Sequence, residues 1–446
     1  MADTHAHDPL SAHQWTPQPA AAAVIADLVA RAVAGNAWLA GFAARLGSET
    51  GTRLGDWVDH LVVLREPAME TRLRGAGFRD DPVGLRHPGG LFPPLAWGAP
   101  ALALKVESVA DLLATNGIEA EIAGAPGPGL RRALVAAGDT PVWAIERLGG
   151  DGLEPTAATP AQAVAAQRHG ERFRCRRRAF ADPAAGFAHA RRLIDAAIPE
   201  IGRDATCALF FAAERDHWQR RNHAARVQRA RQDALGLGWG NHDHHTYRSS
   251  RRWFAAMIAV FAQLGFTCRE RFYAGAEAGW GAQVLDHPAT GIVIFADVDL
   301  SPDELREDFA HAPLPARDRL GTVGLWCALH GEAFLEAGMH HLEATFAFDA
   351  ARAQLAALGV ATMKPFTDYP YLRQCFTAGE RWPVAPARLG HLLAERLITA
   401  EQADVFRRDG ALGAHLEILE RNDGFKGFNQ HGVSEIIAAT DPRHAR

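Results

Sequence analysis

Residues able to bind a metal concentrate at three places in the chain: Asn241-His-Asp-His-His-Thr-Tyr-Arg248, Gly338-Met-His-His-Leu-Glu343 and His415-Leu-Glu-Ile-Leu-Glu-Arg421. Each run reads as a strand, where residues two apart share a face. His242 and His244 therefore share one side of the first strand and His245 takes the other. His341 and Glu343 share a side of the second, and His415 and Glu417 of the third. The three places are spaced by roughly 75–100 residues, about the length of a βαβββ unit. They fall on the first strand of one unit, the first strand of the next, and the last strand of that next unit. Two imidazoles and one carboxylate on one face of an octahedral metal leave three adjacent positions open. Fe(II) oxygenases use that arrangement because O2 and a bidentate substrate must bind together. His244, His341 and Glu417 form such a set, with Glu343 as an alternative carboxylate and His242, His245 and His340 as alternative imidazoles.

The elements that must hold these residues recur in order. Residues 20–47 have apolar positions at helical spacing (Val24, Leu28, Val29, Ala32, Val33, Leu39). From Trp57 the pattern reads strand, helix, several strands, twice over. A strand at 57–64 is followed by a helix at Pro67–Gly75; a strand at Ala101–Val106 is followed by a helix at Val109–Thr115; a strand at 142–146 closes the set. Residues 150–160 are a Gly/Pro/Thr/Ala linker, and 160–237 read as charged helices. From Trp239 the order returns in longer form, with strands at 241–249, 272–273, 281–285, 292–298, 340–347 and 415–420, helices at 251–265 and 350–358, and a closing helix at 436–440. The expected fold class is α+β: two domains of paired βαβββ modules joined by a helical connecting segment. The expected boundaries are 1–19 as a disordered tail, 20–150 as a degenerate N-terminal domain, 151–237 as the helical connection and 238–446 as the metal-binding catalytic domain.

Composition narrows the function classes. Of 446 residues 48% are hydrophobic, enough for sizeable cores, and the formal net charge of -5 gives no general attraction to nucleic acid or anionic membrane. The basic run Arg172-Phe-Arg-Cys-Arg-Arg-Arg178 lacks an aromatic ladder and reads as a helix face rather than a nucleic-acid site. No apolar run reaches the roughly 20 residues that span a bilayer, and the N-terminus lacks the order of a secretory signal. Five scattered cysteines without a C-x-x-C pair suggest neither a disulfide framework nor a thiolate zinc site. A cytoplasmic protein is expected, without nucleic-acid or membrane partners. The Gly-rich stretch 275–281 follows no phosphate-binding pattern.

The same residues carry a resemblance. Asn241-x-Asp-His244-x-x-x-Arg248-Ser249 resembles the first metal motif of the 2-oxoadipate dioxygenase/decarboxylase (hydroxyglutarate synthase) family. Leu264-Gly-Phe266, Tyr273, Val284-Leu-Asp-His-Pro288 and Ile292-Val-Ile-Phe295 are similar to the segments that follow it. Ala337-Gly-Met-His-His341 resembles the second motif. Leu416-Glu-Ile-Leu-Glu-Arg421, followed by Gly424-Phe425 to Asn429, resembles the third, and is also similar to the C-terminal end of 4-hydroxyphenylpyruvate dioxygenase. Both families belong to the vicinal-oxygen-chelate (glyoxalase-like) superfamily of paired βαβββ modules. The resemblance covers about residues 239–442. It implies that His244, His341 and Glu417 bind Fe(II) and that Arg248 pairs with a substrate carboxylate through its planar fork.

The activity implied is that of an oxidoreductase: a non-haem Fe(II) dioxygenase and decarboxylase that takes a 2-oxo acid and O2 and releases CO2 and a 2-hydroxy acid, 2-oxoadipate giving 2-hydroxyglutarate. Alternatives on the same scaffold are a metal-dependent isomerase, epimerase or lyase, and a non-catalytic small-molecule-binding protein. Further candidates for substrate contact are Gln283, Lys364 and Tyr371, with Tyr369 and Arg373 in the same polar loop; Asn429 and Gln430 precede the closing helix. The N-terminal half reads as a metal-free copy in which Asp59-His60 and Trp143-Ala-Ile-Glu146-Arg147 echo the motifs. His60 and Glu146 would supply two ligands, and Lys105-Val-Glu107 would stand at the second histidine's place. The helical segment runs directly into the first metal strand, which suggests packing across the pocket mouth.

Overall fold

The structure is a computed structural model, and it describes residues 15–275, 278–429 and 440–443. Most of the N-terminal tail, Gln430 and the closing helix expected at 436–440, except Thr440, lie outside the described residues. Helices α1 (Pro19–Ala34) and α2 (Ala37–Arg45) open the fold. Asn36 separates them, its side chain accepting the Leu39 N–H at the start of α2.

The first sheet is built from two βαβββ units. One comprises β1 (Val58–Val63), α3 (Pro67–Gly75), β2 (Arg79–Asp81), β3 (Gly84–Arg86) and β4 (Leu95–Trp97). The other comprises β5 (Ala101–Val106), α4 (Val109–Thr115), β6 (Ile122–Ala123), β7 (Gly129–Ala136) and β8 (Val142–Leu148). Strand order is β2-β3-β4-β1-β5-β8-β7-β6. The first strand of each unit pairs parallel with the last strand of the same unit, and the two first strands pair antiparallel at the centre.

Four helices follow: α5 (Pro160–Arg174), α6 (Pro183–Ile201), α7 (Arg203–Arg220) and α8 (His223–Asp233). The second sheet then repeats the topology of the first. Its opening unit is β9 (His242–Arg248), α9 (Phe254–Leu264), β10 (Thr267–Tyr273), β11 (Trp280–Asp286) and β12 (Val293–Asp299). Helix α10 (Thr322–His330) leads to β13 (His341–Thr345), α11 (Phe348–Ala357), β14 (Thr367–Tyr369), β15 (Leu372–Phe376) and β16 (Glu380–Trp382). Helices α12 (Pro386–Ala394) and α13 (Ala400–Asp409) intervene before β17 (Ala411–Arg421). The order β10-β11-β12-β9-β13-β17-β15-β14, with β16 against β17, matches the first sheet strand for strand. The fold is α+β, two paired-βαβββ sheets.

Alternation along β9 divides its residues between two environments. His245 and Tyr247 point to the outer face, where Phe211 of α7 packs edge-on against both rings. That face joins apolar residues of α5, α6, α7 and α9 in one core. The helical segment thus covers the back of the second sheet and does not close the pocket mouth, because its apolar stripes find their partner surface there. Its basic run is partly consumed internally, with Arg172, Arg174 and Arg177 left exposed. Arg176 and Arg178 both reach the Glu214 carboxylate, at 2.5 and 2.7 Å, and Arg174 pairs with Asp216. Burial alone would raise the Glu214 carboxyl, but the two guanidinium charges outweigh it and lower it to about 2.

Among the described residues no single helix is long and apolar enough to cross a membrane. One bent pair, α1 with α2 and the turn after it, passes by length and composition, and its apolar side lies in the first core beside Leu61 and Leu102.

Candidate metal centre

The inner face of the second sheet carries the site. Cross-strand register places Glu343 of β13 opposite His244 of β9, and Glu417 of β17 opposite Glu343. The three central strands thus present one continuous row, His244–Glu343–Glu417. Their ligand atoms lie within 4.8 Å of one another. His341 lies two residues before Glu343 and leans into the row. Glu343 Oε1 is 2.5 Å from His244 Nε2 and 2.7 Å from His341 Nε2, and His341 Nε2 is 3.6 Å from Glu417 Oε2.

All four groups are buried, and burial sets their protonation. It lowers the His244 imidazole to about 4 despite the opposing pull of Asp243, and it holds His341 well below its ordinary value. Both rings are therefore neutral near pH 7, the form that binds metal. Burial, and then the charge of Glu417, push the Glu343 carboxyl well up; burial raises Glu417 to about 7. Among the described residues no arginine or lysine pairs with either carboxylate. Glu343 Oε2 is buried with no hydrogen-bond partner among the described residues. Two neutral imidazoles facing two buried carboxyl groups with no cationic side chain between them form a donor set that a divalent cation, displacing the carboxyl protons, satisfies.

Neighbouring groups orient these donors. Asp243 Oδ1 accepts from His244 Nδ1 at 2.8 Å, which leaves Nε2 directed into the site. Arg421, at the end of β17, grips both oxygens of Asp243 at 2.9 and 3.0 Å. Burial alone would raise the Asp243 carboxyl, but Arg421 and His244 hold it well below the carboxylate range. Gln374 Nε2 donates to Glu417 Oε1 at 2.8 Å. The His244 ring is flanked by Phe295 and Phe428, and the His341 ring by Phe376.

The row floors a cavity of about 620 Å³, part of it open to solvent. Its walls are largely aromatic, with Phe272, Trp280, Phe295, Phe366, Phe376 and Phe428 contributing. Thr246 and Arg248 continue along the inner face of β9 from His244, and Asp297 of β12 stands opposite Arg248 in register. Arg248 is 3% exposed and lies over the Trp326 ring of α10. Asn429 also lines the cavity.

Of the residues singled out in the sequence, His244, His341, Glu417, Glu343, His340 and Arg248 meet at this cavity. His242 and His245 do not line it, and neither do Gln283, Lys364 and Tyr371. Gln283 is buried, but its amide donates to the carbonyls of Glu270 and Val284 at 3.0 Å each. Lys364 is exposed, and Tyr371 stacks on Tyr369 with Phe425 tilted against it. Asp297 and Gln374 escaped the sequence reading because nothing local distinguishes them. Asp243 was visible in the first motif, and its adjacency to a candidate ligand is the usual sign of an orienting carboxylate.

The first sheet contains a partial copy of this centre. Asp59 Oδ1 accepts from His60 Nδ1 at 2.6 Å, and Arg147 at the end of β8 grips Asp59 at 2.8 Å through two nitrogens. Register then places Ala103 opposite His60 and Trp143 opposite Ala103. Ala103 and Trp143 thus occupy the places of Glu343 and Glu417. The sequence expectation that Glu146 stands at Glu417's place and Lys105-Val-Glu107 at His341's is corrected by this register, which puts Trp143 and Ala101 there. Glu146 corresponds to Glu420 instead, and it binds Arg131 and the Val109 N–H.

No family model matches the sequence, and no curated protein matches it. Solved structures with a similar fold include a triple mutant of 4-hydroxymandelate synthase from Streptomyces coelicolor (14% identity, 77% of this chain and 98% of that one, TM-score 0.30). Methylmalonyl-CoA epimerase from Mycobacterium tuberculosis is 13% identical over 41% of this chain and 88% of its own, with a TM-score of 0.24. A catechol 2,3-dioxygenase is 10% identical over 84% and 90%, with a TM-score of 0.20. At these values the likeness concerns the fold alone, and the site is read from its own residues.

Proposed function

We propose that the protein is a non-haem Fe(II) dioxygenase that oxidatively decarboxylates a 2-oxo acid, giving CO2 and a 2-hydroxy acid. The observation that carries this reading is the meeting of His244, His341 and Glu417 at the floor of a buried, aromatic-walled cavity whose polar side holds Arg248. Fe(II) would supply O2 activation and Lewis acidity toward the 2-oxo acid. The chain's own residues do the rest. Asp243 and Arg421 fix the His244 tautomer, and Gln374 fixes the Glu417 carboxylate. The aromatic walls exclude water, which strengthens polar contacts inside the cavity. Arg248 holds a carboxylate of the substrate, with 2-oxoadipate as the reference compound.

Glu343 favours a second reading. With Glu343 as a fourth protein ligand, an octahedral metal keeps two open positions, enough for a chelating substrate but not for O2 as well. That set suits a metal-dependent isomerase, epimerase or lyase. Anaerobic reconstitution with Fe(II), followed by O2 uptake and CO2 release across a panel of 2-oxo acids, separates the two. Uptake coupled to CO2 release is expected. Absence of both with every 2-oxo acid refutes the dioxygenase reading, and anaerobic turnover with a bound divalent metal would favour the second.

A further inference from the structure

The far end of the cavity holds an unfinished polar pair. Arg248 and Asp297 are opposite each other in the β9–β12 register, both buried and both lining the cavity. Arg248 Nε and Asp297 Oδ2 are 3.7 Å apart, beyond hydrogen-bond distance. Arg248 Nε and Nη1 and Asp297 Oδ1 are each buried with no hydrogen-bond partner among the described residues. A guanidinium and a carboxylate buried only to neutralise each other would close that gap, since a buried polar atom left without a partner loses its hydration with nothing in return. The neighbouring Asp299 shows what a structural carboxylate does on the same strand: it accepts from the N–H groups of Gly321, Val323 and Gly324 and caps α10. Among the described residues Asp297 accepts from no such group, and burial raises it to about 7 against the pull of Arg248.

The pair therefore offers donors on one side and an acceptor on the other. A ligand complementary to both brings an acceptor pair to Arg248 and a hydrogen-bond donor to Asp297. Arg248 lies four residues beyond His244, roughly 13 Å along the strand, so this end reads the part of the ligand remote from the metal row. We infer that Asp297 is a specificity-determining residue, and that the cavity selects molecules whose far end carries a carboxylate with an adjacent hydroxyl or ammonium group. The inference rests on the reading of this cavity as the substrate site.

Calorimetry on the full, metal-loaded chain under anaerobic conditions tests it with three matched probes: adipate, 2-hydroxyadipate and 2-aminoadipate. A donor satisfying a buried carboxylate is worth at least about 1.4 kcal/mol, or roughly tenfold in affinity. The hydroxy or amino probe is therefore expected to bind at least ~10-fold more tightly than adipate, and the stronger of the two identifies the donor. Asp297→Asn, which keeps the side-chain shape, and Asp297→Ala should both bring the preferred probe close to adipate. Equal binding of all three probes to the unaltered protein overturns the inference. So does a preference that survives in both variants, because the donor would then be read at the metal. Iron content and O2 uptake on the same samples decide the Fe(II) reading separately, since none of the metal donors lies within hydrogen-bond distance of Asp297 among the described contacts.

Discussion

The two sheets share one topology and one orienting relay, yet among the described residues only the second gathers a candidate set of metal ligands. In the first, Arg147 holds Asp59 and Asp59 holds His60; in the second, Arg421 holds Asp243 and Asp243 holds His244. The difference lies in two residues of the central row. Ala103 and Trp143 face His60 where Glu343 and Glu417 face His244. The polar far end is missing too, since the offsets that give Arg248 and Asp297 in the second sheet fall on Leu64 and Gly98 in the first. A relay of Arg, Asp and His is thus no evidence of a metal by itself. It satisfies buried groups in both sheets and becomes part of a metal site only where carboxylates complete the row.

The comparison breaks first at the ligands. His244→Ala or Glu417→Ala should remove most bound metal and lower activity by more than ~100-fold, because even contacts that only orient a ligand carry about 10–100-fold; metal analysis and steady-state rates check this. Retention of metal in both variants would exclude the row as the centre.

Equivalent substitutions in the two relays should separate their roles. Asp243→Asn should weaken metal affinity by ~10–100-fold. Asp59→Asn should leave metal affinity unchanged and cost about 1–3 kcal/mol of stability through the unpaired Arg147. Chelator competition and urea unfolding read the two effects.

The protonation states give a smaller, signed effect. Glu417, raised to about 7, is protonated in the folded metal-free chain at pH values where the unfolded chain is ionised. Its stabilising contribution is complete below the ordinary carboxylate pKa and is lost as pH rises through about 7. The His244 imidazole, lowered to about 4, acts oppositely: its contribution is complete above 6.5 and is lost as pH falls through about 4. Above pH 6.5 the imidazole is neutral in both states, and the carboxyl still titrates. The Tm of the metal-depleted protein should therefore fall between pH 6.5 and 8, while metal affinity rises by up to about tenfold per pH unit for each proton displaced. A thermal scan with and without divalent metal shows both. The smallest effect is expected from His60→Ala, which should leave metal content unchanged.

Much of the architecture was legible because it is local. Pro67 and Gly77 bracket α3, and Ser108 and Asn116 bracket α4; hydrophobic periodicity fixed the elements between such signals. The candidate ligands on β9, β13 and β17 were legible as histidines and glutamates on strands at module spacing. The degenerate copy was legible in outline but misaligned. Matching Glu146-Arg147 to Glu420-Arg421 would have put Trp143, not Glu146, at the metal position.

The sequence by itself determined the order of the modules, the strands that carry the candidate ligands and, through alternation, that His244, Thr246 and Arg248 share a face; a bulge takes His242 to the side of His245 instead. Alternation is a property of one strand and needs no partner. Tertiary structure decided what stands beside what. The register between β9 and β13 brought Glu343 into the row beside His244, and the parallel pairing of β9 and β12 brought Asp297 to Arg248. Register is set by packing between strands distant in the chain, so the donors that complete the candidate centre and the pair at its far end emerged only once the sheet was assembled.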